Sequence, residues 1–156
     1  MILRLRRASE ADIEITFAWV NNEIVRKFSV NKKKISFNSH RDWFTKRINS
    51  KETAYYILEE IDGEALGSIR FDIDDDEARI NYLIDPKRHG IGLGKFIVKQ
   101  GIDAIKKEFP EAQAVYGWVF KSNIASIKIF QKLEFRLVEE KNSMFKFQYH
   151  MPGNAN

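Results

Sequence analysis

The sequence contains no cysteine, only three prolines, and no apolar run near the roughly 18 residues that span a bilayer. Without cysteine there is no disulfide, no thiolate zinc site and no thiol nucleophile. His40, His89 and His150 form no metal-ligand spacing, so no metal is expected. The opening residues Met1-Ile2-Leu3-Arg4-Leu5-Arg6-Arg7 lack the apolar core of a signal peptide. These absences argue against a secreted scaffold and a membrane partner, and they predict a cytoplasmic location.

What is present is material for a core. Of 156 residues, 44% are hydrophobic and 13% aromatic, with twelve phenylalanines. That length suits one domain, which at this size buries roughly 68–70% of its unfolded surface. The expected domain covers residues 1–150, with 151–156 as a short tail. Net charge is +4 but unevenly spread. Residues 1–50 carry 11 basic and 5 acidic groups, residues 51–85 carry 3 and 11, and residues 86–156 carry 12 and 6. Two basic segments around an acidic one suit an anionic cofactor. No nucleic-acid partner is expected: Lys32-Lys33-Lys34 and Asp74-Asp75-Asp76 read as solvated runs, and the aromatics follow strand and helix periods.

Ile2 to Arg6 alternates as a strand. Ser9, with Asp12 three residues on, opens a helix to about Asn21, and Asn38 or Ser39 caps a second running to about Ile48. Ala54–Glu60 and Ala65–Ile73 form a hairpin about Asp62-Gly63, followed by a strand over Ala78–Ile84. A glycine-rich loop starts a helix that Pro110 stops. Gln113–Phe120 is a strand, Ser122-Asn123 caps a helix, and Phe135–Glu139 and Met144–Tyr149 close the chain. The order β-α-α-β-β-β-α-β-α-β-β is that of an α+β (α/β) fold: a mixed, mostly antiparallel central sheet with helices on both faces.

Gly90, Gly92 and Gly94 alternate between a strand and an amphipathic helix. Glycine there permits positive φ and lets several N–H groups converge at the positive end of the helix dipole. A flexible turn would need no more than the glycines; the flanking strand and helix, with Lys87, Arg88 and Lys95, favour a phosphate cradle. A Walker A loop is excluded because His89 and Phe96 stand where it needs Gly and Ser or Thr. A dinucleotide fingerprint is excluded because Lys95 stands where it needs Gly or Ala.

The segment His89-Gly90-Ile91-Gly92-Leu93-Gly94 resembles the Gln/Arg-x-x-Gly-x-Gly/Ala loop of the GNAT acetyltransferases, with His89 in the first place. A second segment, Asn123 to Phe135, resembles their Asn-x-x-Ser/Ala-x-x-x-Tyr/Phe-x-Lys-x-Gly-Phe, with Phe130 at the Tyr/Phe position and Glu134 in place of glycine. The resemblance implies acetyl-CoA as cofactor. Its pyrophosphate would meet the amides from Gly90 through Ile91, Gly92, Leu93 and Gly94 to Lys95. Its pantetheine arm would lie between two splayed strands against the backbone of Leu83 and Ile84, near Asn123, Ser126 and Phe130. One Leu83 or Ile84 N–H would hold the oxyanion.

The resemblance also implies direct transfer to an amine. Glu77 is the expected base, with His40 or a water chain as the alternative. Many relatives carry a proton-donating tyrosine at the Phe130 position; here either Tyr82, Tyr116 or Tyr149 serves instead or the thiolate leaves unassisted. In the acceptor half, Trp19, Asn21, Arg26, His40 and Trp43 resemble a branch that acetylates nucleotide-linked amino sugars. This makes a small-molecule amine acceptor the expected partner, and a homodimer is compatible with it. Two other readings stand beside this one: a ribosomal-protein or other N-terminal protein acetyltransferase, and an acyl-CoA-binding domain without turnover. Both tryptophans also fit helix spacing as plain core.

Overall fold

The structure is a computed structural model that describes residues 1–153; of the expected tail, 154–156 lie outside the described residues. Seven strands form one sheet: β1 (Leu3–Arg7), β2 (Thr53–Glu60), β3 (Ala65–Asp74), β4 (Glu77–Ile84), β5 (Ala114–Phe120), β6 (Arg136–Lys141) and β7 (Met144–His150). Their spatial order is β1-β2-β3-β4-β5-β7-β6. All neighbours are antiparallel except β4 and β5, which run parallel. Met151 of the expected tail continues the ladder, its N–H donating to the Gln113 carbonyl.

Five α-helices accompany the sheet: α1 (Ile13–Val20), α2 (Glu23–Lys27), α3 (Phe37–Ile48), α4 (Leu93–Glu108) and α5 (Ile124–Lys132). None is long and apolar enough to cross a membrane. Strand alternation divides the helices between the two faces. Tyr55 of β2 meets Phe44 of α3, with ring centroids 5.1 Å apart. Ala54, Tyr56 and Leu58, pointing the other way, join the cluster that holds Ile97, Val98 and Ile105 of α4. Each large side chain buried there contributes about 1.5–3 kcal/mol relative to exposure.

The helices before β2 differ from the sequence reading: Ser9 opens a short 3-10 turn, Glu10–Asp12, and α1 itself begins at Ile13. The segment after Asn21, assigned no element from the sequence, holds α2, capped by Asn22, whose side chain accepts from the Ile24 N–H. Helix α3 starts earlier, because Ser36 and not Asn38 or Ser39 caps it by accepting from the Ser39 N–H. At the start of α1, Arg6 forms two bonds to Asp12 (2.8 and 2.9 Å) and pairs with Glu59 at 3.0 Å. Burial raises the pKa of the Asp12 and Glu59 carboxyls, but the arginine bonds outweigh it and hold both below their usual range. This cluster ties the first helix to β1 and β2, and so sets the wall of the site.

Candidate active site

Strands β4 and β5 pair only at Glu77–Ala114, Ala78–Val115 and Arg79–Tyr116. Beyond that point each keeps its other neighbour: β4 pairs with β3 as far as Ile84–Gly67, and β5 with β7 as far as Phe120–Met144. The two strands therefore fork, and the facing edge of β4 from Ile80 to Ile84 has no strand beside it. An extended ligand can take that missing place through main-chain bonds. A cavity of about 1120 Å³ runs through the fork and joins the glycine loop to α1–α3.

The glycine loop forms one end. Gly90 and Gly92 have φ of 83° and 85°, in the left-handed region that side chains rarely adopt. Gly92 precedes α4 and brings no side-chain cap. Among the described residues no carbonyl or side chain accepts from the N–H groups of Gly90 through Lys95, so a cluster of free donors sits at the positive end of a 16-residue helix. Gly94 sits close to α5: a Cβ there would lie 2.7 Å from Ile129 Cδ1, so that side chain would have to shift. His89 fills the first motif place by tying the loop to β4, its Nε2–H donating to the Ile84 carbonyl at 2.9 Å.

Helix α5 forms the neighbouring wall. The Asn123 side chain accepts from the Ser126 N–H and caps the helix. Ser126 Oγ lies 2.6 Å from the hydroxyl of Tyr82, and burial pushes that phenol up to about 12 despite the serine bond. Phe130 is core, stacked on Phe147 with centroids 5.6 Å apart, with one side on the cavity. Glu134, in the family's glycine place, adopts φ of 68°. The Phe135 N–H bonds the Phe130 carbonyl and the Glu134 N–H bonds that of Gln131, which is the bonding of a Schellman motif.

The acceptor half differs more from the sequence reading. Arg26, His40 and Trp43 line it. Trp19 does not: it is 3% exposed and belongs to the core. Asn21 is also absent from the lining, its amide exchanging two bonds with the Ile35 backbone at 2.7 and 2.8 Å. Nor is Trp43 a bare platform, since Arg70 lies 4.8 Å and Arg47 5.6 Å from its ring. On the cofactor side, Ile91 points away and is exposed.

Of the catalytic candidates, His40 lines the cavity, whereas Glu77 and Tyr116 do not. Glu77 stands where β4 and β5 still pair, with the Gln148 amide 3.5 Å from its carboxylate. Tyr116 lies under the Lys146 ammonium, 4.6 Å from its ring centroid. Tyr149, packed against Phe135, is likewise off the lining, whereas Tyr82 is on it.

The structure adds Arg70, Arg79, Asn81 and Trp118 to the lining. The signal for them was period-two alternation: counting back from Leu83 by twos gives Asn81 and Arg79, and the β3 register opposite Asn81 gives Arg70. No Asp or Glu appears among the lining residues.

Comparison with known proteins agrees with this architecture. The profile of the acetyltransferase (GNAT) domain matches residues 3–136. An uncharacterized protein of Methanocaldococcus jannaschii is 24% identical over 136 residues, 85% of this chain, and the chain spans 28% of that protein's length. The acetyltransferase PseH of Campylobacter jejuni is 25% identical over 137 residues, covering 86% of this chain and 83% of the relative. A solved structure of spermidine N-acetyltransferase from Vibrio cholerae, in complex with CoA and spermine, is similar with a TM-score of 0.83 at 16% identity, covering 95% of each chain. That likeness is one of fold. With most of its length matched by the family profile, the chain belongs to the GNAT acetyltransferase family, enzymes that transfer acetyl from acetyl-CoA.

Proposed function

We propose that this enzyme acetylates the amino group of a nucleotide-linked amino sugar. The observation that carries the reading is the acceptor half of the cavity, lined by Arg26, Arg70 and Arg79 with aromatic side chains, in a lining that contains no carboxylate. A polycation would find no counter-charge there, whereas a phosphate-bearing acceptor would. A cytoplasmic enzyme of one domain, residues 1–150, fits the same reading.

Acetyl-CoA supplies the acetyl group as an activated thioester. The free amides of Gly90 to Lys95 would hold its pyrophosphate, and the open edge of β4 at Leu83 and Ile84 would pair with its pantetheine arm beside Asn123 and Ser126. An N–H on that edge would polarise the thioester carbonyl. His40 takes the proton that the amine must lose, directly or through one water, because it is the titratable acceptor on the acceptor wall. Tyr82 stays protonated and offers the departing sulfur a hydrogen bond, in the role Phe130 cannot fill.

Thiol release measured with UDP-linked amino sugars, free amino sugars, spermidine and a short peptide tests the reading. The highest kcat/KM is expected for a UDP-linked amino sugar. Turnover of spermidine or peptide, with none of any UDP-linked sugar, overturns it.

A further inference from the structure

Arg79 occupies the last β4–β5 pair, at the point where the two strands part. Its side chain lies on the α3 face of the sheet, since it stands opposite Asp72, whose carboxylate bonds Arg47 of α3. Asp72 would be the natural partner of Arg79, but its two oxygens are already engaged. Arg47 Nη1 lies 3.3 Å from Oδ1, and Arg70 Nε lies 3.1 Å from Oδ2. Two arginines thus share one carboxylate, and Arg79 stands opposite it without a bond.

The other lining arginines each have at least one protein partner, although Arg26 Nε is buried without one. Arg26 donates from Nη1 to the carbonyls of Asn31 and Lys33, and Arg88 pairs with Glu64. Among the described residues Arg79 alone of the lining arginines has neither hydrogen bond nor ion pair. Asn81 follows it on the same face of β4. Trp118 faces the same side from β5, because Gly117 before it points its missing Cβ at Phe130 and Ile80. Arg79 is exposed, so an unpaired guanidinium stands at the crotch of the fork, on the sheet face it shares with Asn81 and Trp118.

We propose that Arg79 anchors a phosphate group of the acceptor and so sets the enzyme's preference for anionic amines. The proposal rests on the reading of the acceptor as nucleotide-linked. A guanidinium recognises phosphate through two parallel N–H bonds, which a lysine ammonium does not reproduce. From the crotch of the fork the anchor would hold the diphosphate close to where the acetyl group is transferred.

The test uses protein saturated with CoA, so that the cofactor site is filled, titrated with UDP by calorimetry. Wild type is expected to bind UDP, and Arg79→Gln to bind it roughly 10- to 150-fold more weakly. Arg79→Lys should recover only part of the loss. KM for acetyl-CoA should be unchanged in both variants. Tightening of wild-type binding by pyrophosphate alone, with UDP no better, would assign the site to a free phosphate and overturn the nucleotide assignment. UDP binding by Arg79→Gln equal to wild type overturns the anchor itself. Should the preferred acceptor carry no nucleotide, the reading of the function fails separately. The anchor is then scored on that acceptor, where an unchanged KM in Arg79→Gln overturns it.

Discussion

His40 Nε2 lies 2.9 Å from Thr16 Oγ1, and the Thr16 hydroxyl hydrogen is itself directed at the Asp12 carbonyl 2.7 Å away. The threonine oxygen can therefore only accept, which puts the His40 hydrogen on Nε2 and leaves Nδ1 as a lone-pair base. Burial lowers the His40 pKa below 6.5, so the ring is neutral at pH 7. Ring orientation by a second group is what a general base requires.

The first prediction follows from that pair. Because the folded pKa is depressed, the rate should hold at pH 7 and fall as pH drops below about 6.5 and the ring takes up a proton. Stability should fall over the same range, since the unfolded chain binds that proton more readily. His40→Gln should lower kcat by on the order of 10²-fold and remove the acid limb. Glu77→Gln should leave kcat near wild type, because that carboxylate is off the cavity. A large kcat loss in Glu77→Gln, with His40→Gln active, would return the proton transfer to Glu77.

The cofactor end predicts a backbone effect. Gly92→Pro removes an amide donor and demands φ near −65° where the chain holds 85°. Acetyl-CoA affinity should drop sharply in calorimetry while circular dichroism shows a folded protein. Gly94→Val should also weaken binding, through the 2.7 Å approach of its Cβ to Ile129. Unchanged affinity in folded Gly92→Pro would remove the loop amides from cofactor binding.

Glu134 predicts a stabilising substitution. A left-handed non-glycine residue costs about 1–2 kcal/mol, partly offset by the extra chain entropy glycine loses on folding. Glu134→Gly should therefore raise stability by about 1 kcal/mol, or roughly 2–4 °C in Tm for a domain of this size. Thermal unfolding showing a lower Tm would mean that the Glu134 side chain makes up for its backbone.

These residues also show what the sequence could and could not reveal. The glycine loop and the Asn123 cap were legible because both are local: their chemistry is carried by neighbours within one turn. Helix α2 was missed because five residues give too few positions for a periodicity to show. Trp19 was ambiguous because a core tryptophan and a stacking tryptophan share the same helix spacing. Arg79 was invisible for a different reason. Its importance depends on where β4 and β5 part and on Asp72 being occupied by Arg47 and Arg70, a relationship among four residues spread over three elements. The carboxylate-free lining is likewise a property of the assembled wall and of no single segment.

Arg26 supplies the last prediction. The sequence places it in the acceptor half, and the structure shows its Nη1 donating to the Asn31 carbonyl at 2.6 Å and the Lys33 carbonyl at 3.0 Å. The loop it holds contributes Phe28, Ser29, Val30, Asn31 and Ile35 to the acceptor wall. Lys32 fastens the same loop to the far side of the fork, its ammonium 4.8 Å from the Phe120 ring centroid. Each lost bond is worth about 0.5–1.5 kcal/mol, so Arg26→Ala should raise the acceptor KM by at most on the order of 10²-fold. Acetyl-CoA affinity should stay intact. A loop organiser and a phosphate contact differ in one respect that kinetics can read. If Arg26 organises the wall, KM rises by a similar factor for charged and uncharged amine acceptors, and amide exchange across residues 28–35 speeds up. If it touches phosphate, only the charged acceptor is affected and exchange is unchanged. We expect the first pattern for Arg26→Ala and the second for Arg79→Gln, and the reverse assignment would exchange the roles of the two arginines.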